Sequence, residues 1–430
     1  MTAQRLLATV LGTVMAMSAG FGAGFTLNFS TAAAEDTVPA VAQSKTPAAK
    51  GSDDKLTVPI VMVREQREVP LPLSLLDLPP KDDGVAGGQL AVNDNNTTGR
   101  FLNQEFSFEV IENAKADHLA ADVVARAEKG AKFFVVDASG ATLLALADAL
   151  KGKQAVLFNA SNVDDKLREE DCRANVMHTA PSRTMLADSL GQYLIWKRWK
   201  NWFLISGTLP EDKAYADALK RTAKRFGASI VEERSFAYDS GSRRTDGGYE
   251  QVQQQIQSFT QGAKAHDVVL VADEGQLFGE YVPYRTWEPR PVAGTAGLVA
   301  TPWHPALELW GGTQFQNRFR KLANRIMRPL DYNVWLAVRA VGEAVSRKKT
   351  GDFKDVMAFM RAPGFDLAGF KGIATSFREW NGQLRQPILV ATPKMLVSVS
   401  PQQGFLHQTN ELDTLGIDKP ETKCKAYSAK

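Results

Sequence analysis

Short apolar runs at 133–136, 155–158, 202–205 and 268–272 alternate with longer amphipathic stretches. That alternation limits the fold more than any other feature of the chain. Each run is too short for a helix and shows no polar face. Each therefore reads as a strand buried on both sides, as in parallel sheets. Helices are predicted between them at 117–128, 141–150, 184–197, 212–226 and 250–260. In the first, Leu119, Val123 and Ala127 recur at four-residue spacing on one face. Gly227 is placed to stop the helix at 212–226. Strand and helix joined by such short connections imply parallel sheets covered on both faces.

The buried runs, with a first strand at 58–63, are too many for one sheet. The fold class expected is α/β, two doubly wound parallel-sheet lobes joined by a hinge. The composition offers a break near 172–182. A strand at 297–300 then leads to helices at 312–324 and 331–345 that return the chain to the first lobe. Val334, Val338, Val341 and Val345 fall on one face of the second helix, with Asp331 as its predicted N-cap. The expected division is 56–180 plus 303–347 for lobe 1 and 181–302 plus 348–395 for lobe 2, with a C-terminal tail at 396–430. A proline-rich loop is expected from Leu71, a helix from Gly84 into a turn at 95–99, and a hairpin at 377–391 across Asn381 and Gly382.

The first 34 residues hold one ionisable side chain, Arg5, and an apolar Ala/Gly-rich segment that closes in Ala32, Ala33 and Ala34. This is the pattern of a cleaved secretory signal, 1–34, and residues 35–55 read as a flexible tether. The predicted location is the periplasm. There the two cysteines, Cys172 and Cys424, are expected to pair as a disulfide. A formal net charge of +3 gives no polybasic surface, so nucleic acid is not an expected partner. The rings and cations at 196–202 read as packing where a helix ends and a strand begins.

Signatures of catalysis are missing: no phosphate-binding loop, nucleophile elbow or metal-ligand His pair occurs, and no enzyme activity or metal is predicted. The candidates are ligand-binding residues at strand ends, the edge where open α/β sheets bind ligands. Arg64 follows the first strand. Ser139 and Gly140 open a helix whose free N–H groups would hold an anion, and Asn159 and Ser161 stand in the same relation to the next strand. Glu274 follows the run at 268–272. Arg285, Trp287, Trp303 and His304 supply cations and rings in a segment that continues from it.

The order of elements over about 57–400 resembles the type I periplasmic solute-binding proteins of ABC transporters, the branched-chain amino acid class. Longer segments narrow the resemblance: LPLSLLDLPPKDDG at 71–84, NNTTGRFL at 95–102, DCRANVMHTAPSR at 171–183, FGEYVPYRTWEPRPVAGTAGL at 278–298, WNGQLRQPILV at 380–390, and 396–416. Together they look like the branch associated with PQQ-dependent alcohol dehydrogenase systems. The resemblance implies a monomeric receptor that delivers a small anionic ligand to an ABC permease in the inner membrane. It points to pyrroloquinoline quinone as bound ligand, with no catalytic cofactor. Amino-acid or alcohol-derived acid cargo is the alternative, as is a sensor or accessory protein of a quinoprotein dehydrogenase. The usual amino-acid class carries ligand groups at the strand ends that here hold Ser139, Gly140, Asn159, Ser161 and Glu274. Arg64, Arg285, Trp287, Trp303 and His304 depart from that pattern.

Overall fold

Two large sheets and a two-stranded one share the chain in this computed structural model, which is described over residues 55–68, 78–238 and 248–427. The signal segment, nearly all of the tether and most of the proline-rich loop lie outside those residues. The first lobe runs β1 (Leu56–Glu65), α1 (Val85–Leu102), β2 (Gln104–Asn113), α2 (Ala116–Glu128), β3 (Phe133–Asp137), α3 (Gly140–Ala149), β4 (Val156–Asn159) and β5 (Val176–His178). Its sheet has the order β2-β1-β3-β4-β5 with every pair parallel. Residues of β3 and β4 are buried at every position, as strands covered on both faces must be.

The second lobe continues with α4 (Arg183–Trp196), β6 (Asn201–Ser206), α5 (Pro210–Phe226), β7 (Ser229–Ser235), α6 (Gly248–Thr260), β8 (Val268–Ala272), α7 (Val282–Arg285), β9 (Val292–Gly294) and β10 (Leu298–Thr301). Next come α8 (Gly312–Ala323), α9 (Pro329–Lys348), α10 (Phe353–Met360), β11 (Ser376–Phe377), β12 (Leu384–Arg385), β13 (Ile388–Thr392) and β14 (Met395–Ser400). The second sheet has the order β14-β13-β10-β9-β8-β6-β7, with β13 and β14 antiparallel to their neighbours. Gly227, at φ 76°, ends α5 as its position in the sequence predicts.

Three local expectations are corrected, and one strand goes unpredicted. The turn predicted at 95–99 is helical, and α1 runs on to Asn103, which ends it at φ 55°. Asn95 faces inward there and donates to the Val338 carbonyl at 3.0 Å. A Cβ on Gly342 would come within 2.1 Å of the Asn95 Oδ1, so glycine is what lets α1 and α9 approach this closely. Strand β2 has no counterpart in the sequence prediction, because as an edge strand it mixes buried Phe106 with exposed Glu105. Asp331 is not the N-cap of α9. Arg328 holds that position, and Asp331 sits in the first turn accepting the Arg328 N–H at 3.0 Å. The hairpin across Gly382 is only β11 with β12, and β13 pairs instead with β14.

Helices α8 and α9 return to the first lobe, where Phe315, Phe319, Val334, Val338 and Val341 share a core with Ile60, Met62, Val135 and Phe158. Val356, Met357 and Met360 of α10 join the same core, although the sequence division set 348–395 in lobe 2. The chain passes between the sheets near 179–182, 302–303 and 386–387. Lys371, 1% exposed, ties these passages together. Its ammonium donates to the Pro302 carbonyl at 3.0 Å, to Gln386 Oε1 at 2.7 Å and to the Pro387 carbonyl at 2.6 Å. Gln386 in turn donates to the Thr179 carbonyl at 2.8 Å. The tail packs back through Asp413, which accepts from Arg378 at 2.8 Å and Arg385 at 2.9 Å. Cys172 and Cys424 form the expected disulfide.

Candidate functional site

The carboxyl ends of the parallel strands of both lobes converge on Arg183, at the start of α4. Its guanidinium donates to Glu274, just past β8, with Nε at 2.8 Å from Oε1. It also stands 3.5 Å from Asp164, which follows β4. Asp165 next to it accepts from the Thr184 hydroxyl at 2.6 Å. Arg183 was not singled out by the sequence reading. One signal could have found it: a cation in the first turn of a helix is disfavoured by the helix dipole and needs a carboxylate nearby. Glu274 therefore has its cation in Arg183, and not in Arg64 or Arg285. Burial raises the Glu274 carboxyl, and Arg183 offsets that only in part.

Around β1 and β3 the charges are matched among themselves. Arg64 bonds Glu112 and donates to the Lys81 carbonyl at 3.1 Å. It lies 3.9 Å from Asp137, whose carboxylate also accepts from Arg67 at 2.6 Å. Glu65, the last residue of β1, reaches the N-terminus of α3. Its carboxylate accepts the Ser139 N–H at 2.5 Å, the Ser139 hydroxyl at 3.2 Å and the Thr142 hydroxyl at 2.5 Å. Burial works against the charge on Glu65, and the bonds from Thr142 and Ser139 outweigh it, holding the carboxyl below its ordinary value. Ser139 caps the helix, accepting the Thr142 N–H at 3.3 Å, and Gly140 is the first residue of that helix.

At the end of β4, Asn159 is 1% exposed and turned into the loop. It accepts the Asn162 N–H at 2.9 Å and donates to the Asn162 carbonyl at 2.8 Å. Its Nδ2 also lies 3.0 Å from His178 Nδ1, a ring that burial and Arg168 push well below the ordinary histidine value. The Asn159 side chain thus shapes the strand end. Ser161 differs: its hydroxyl is buried and finds no hydrogen-bond partner among the described residues. Asn333 of α9 donates from Nδ2 to the Ala160 carbonyl at 2.9 Å, while its Oδ1, also buried, has no partner. Asn333 was missed because nothing in the periodicity of α9 separates it from the valines around it.

The aromatic segment divides. Trp303 is 1% exposed and belongs to the core, stacked on Tyr332 at 4.9 Å between centroids. Its expected place as an open ring in the cleft is corrected: the large apolar surface is covered by α8 and α9. Arg285 and Trp287 lie at the surface, Trp287 at 51% exposure. His304 is half-buried, its Nδ1 accepting the Ala306 N–H at 3.2 Å, and burial lowers its pKa. It borders a pocket of about 310 Å3 shared by Thr301, Trp303, Thr392, Arg328 and Glu280.

Residues 80–279 match the family model described as periplasmic binding protein. No curated protein sequence gives a match. Among solved structures, a branched-chain amino acid ABC transporter periplasmic ligand-binding protein from Burkholderia xenovorans superposes with a TM-score of 0.66 at 16% identity. That alignment covers 86% of this chain and all of the other (100%). The chain has the type I periplasmic binding protein fold. A solute-binding protein from R. palustris in complex with benzoate gives a TM-score of 0.61 at 13% identity, covering 86% of this chain and 99% of the other. A substrate-binding protein from Desulfitobacterium hafniense in complex with Leu gives 0.59 at 16% identity, covering 79% and 99%. No helix among the described residues is long and apolar enough to cross a membrane.

Proposed function

We propose that the chain is a periplasmic receptor that closes its lobes on a small solute and presents it to an ABC permease. One observation carries this reading: the carboxyl ends of two parallel sheets meet at Arg183, while the chain passes between the lobes three times. Such an arrangement permits hinge closure, and the solute shifts the equilibrium toward the closed form by binding it better.

The finer reading of the solute is pyrroloquinoline quinone, supported by the long segments that resemble the quinoprotein-associated branch. Its three carboxylates call for cations. Arg285, with Trp287 beside it, remains at the surface to meet them, whereas Arg64 is already engaged by Glu112. A second reading, an amino acid or an aromatic acid, is favoured by structural neighbours described with Leu or benzoate. It stands at least level with the first. Mass spectrometry of the solute retained through native purification, followed by calorimetry with the quinone, leucine and benzoate, tests both. Heat with leucine alone would remove the quinone, and absence of any small molecule in every assay would remove the receptor. A partner other than a permease, in a sensing role, would be revealed by co-purification with a dehydrogenase.

A further inference from the structure

The N-terminus of α3 at the cleft edge already holds a carboxylate, and it comes from the chain itself. Glu65 takes the Ser139 N–H, the Ser139 hydroxyl and the Thr142 hydroxyl, the donors an incoming anion would use. Two guanidiniums stand nearby, Arg64 and Arg67, against three carboxylates, Glu65, Glu112 and Asp137. A solute carboxylate entering here would find both guanidiniums already in ion pairs, although the buried Nε of Arg64 makes no hydrogen bond, and three carboxylates against two cations.

One strand away the chemistry is opposite. Asn333 is 5% exposed, and its Oδ1 has no donor. Its amide orientation is fixed, because exchanging Oδ1 and Nδ2 would set two oxygens face to face at Ala160. The hydroxyl of Ser161, the residue after Ala160, is likewise buried without a partner. The Ser161 hydroxyl can donate or accept, but the Asn333 Oδ1 can only accept, and buried acceptors are normally satisfied, so this strand end calls for an N–H or O–H from outside the chain.

We infer that Glu65 is a resident carboxylate that bars solute carboxylates from the α3 end of the cleft and leaves Ser161 and Asn333 to recognise N–H or O–H groups. Glu65 is then a specificity residue, and Asn333 a solute contact. This deepens the receptor reading above and rests on it. Any solute with several carboxylates must direct them away from α3.

Benzamide and benzoate form an isosteric pair that separates the two halves of the site, since only benzamide carries N–H donors. Wild type should bind benzamide at least tenfold more tightly than benzoate in calorimetry. Glu65→Ala should erase that preference by gaining benzoate affinity, and Asn333→Leu should weaken benzamide at least tenfold. Independently of any solute, Glu65→Ala should melt at lower temperature, and acetate should restore its Tm while leaving the wild type unmoved. If the alanine chain does not fold, Glu65→Ser, which keeps a hydroxyl for Thr142, carries the same expectations. Benzoate bound by wild type as tightly as benzamide, or acetate acting equally on both chains, overturns the inference. Binding of neither aromatic probe with the acetate response intact upholds Glu65 as the resident carboxylate and overturns Asn333 as a contact for such donors.

Discussion

Arg183 and Glu274 stand 91 residues apart in sequence and meet through two guanidinium nitrogens, Nε at 2.8 Å from Oε1 and Nη2 at 2.8 Å from Oε2. The pair joins the first residue of α4 to the loop after β8. Burial works against the charge on Arg183, and the bond from Glu274 more than restores it.

Glu274→Ala should therefore destabilise the chain by about 3 kcal/mol, the cost of leaving a largely buried charge with a poorer partner. Asp164, at 3.5 Å, and the more distant influence of Asp165 would remain beside Arg183. Urea unfolding midpoints measure the loss. Glu274→Gln should cost less, since an amide oxygen still accepts one bond. Equal midpoints for alanine and wild type would show the pair to be dispensable.

Lys371→Met should cost about 3 kcal/mol or more. Methionine fills the space but leaves the Pro302 and Pro387 carbonyls and Gln386 Oε1 without their donor. Burial already pushes the Lys371 ammonium well below the ordinary lysine value, and its three acceptors are what hold it in place. Hydrogen exchange should quicken at 302–303 and 386–387 in the variant. Protection unchanged at both segments would mean that the passages are held by other contacts.

Asp83 should impose a pH dependence of its own. Burial, with repulsion from Asp331, pushes its carboxyl up to about 6, and Arg328 and Arg325 pull the other way. In the unfolded chain the group ionises near 3.9, so the folded state holds the proton more tightly between about pH 4 and pH 6. The stability it contributes is full below about pH 4 and lost as pH rises through about 6. Between pH 4 and pH 7 the balance should shift toward Asp83→Asn by about 2–3 kcal/mol. Melting curves of both chains across that range decide it, and parallel profiles would contradict it.

Opening the disulfide should weaken the protein by about 5–6 kcal/mol in the chain-entropy model, since the loop between Cys172 and Cys424 is long, 252 residues in separation. The double substitution to serine should also loosen the tail, whose Lys423 N–H reaches Glu169 at 2.6 Å. Denaturant titration with and without reductant measures the change. Thiol counts showing two free sulfhydryls in the unreduced, unfolded chain would exclude the bridge.

The fold was legible wherever burial is two-sided. Residues 268–272 have no polar face, and in the structure every one of them is buried. Strand β2 escaped because an edge strand alternates, and its glutamates read as solvent-facing loop. The site was less legible, and the reason is physical. A sequence gives the residue types at strand ends but not which of them are already satisfied. Arg64 and Ser139 have the right chemistry for an anion, yet Glu112 and Glu65 supply that anion from within. Trp303 looked like an exposed ring because it follows a strand, and it was the return of α8 and α9 that covered it. Asn333 could be recognised only once distant segments were brought together.

The interleaving of the lobes bears on biosynthesis. Phe133, Val135, Val156 and Phe158 reach their final packing only against Phe315, Val334 and Val338, which the ribosome makes after the whole excursion through β10. An N-terminal half emerging alone would expose that sheet face to water, with nothing yet synthesised to cover it. Contacts this remote in sequence slow folding. Until the return helices are made, that face stays open to aggregation.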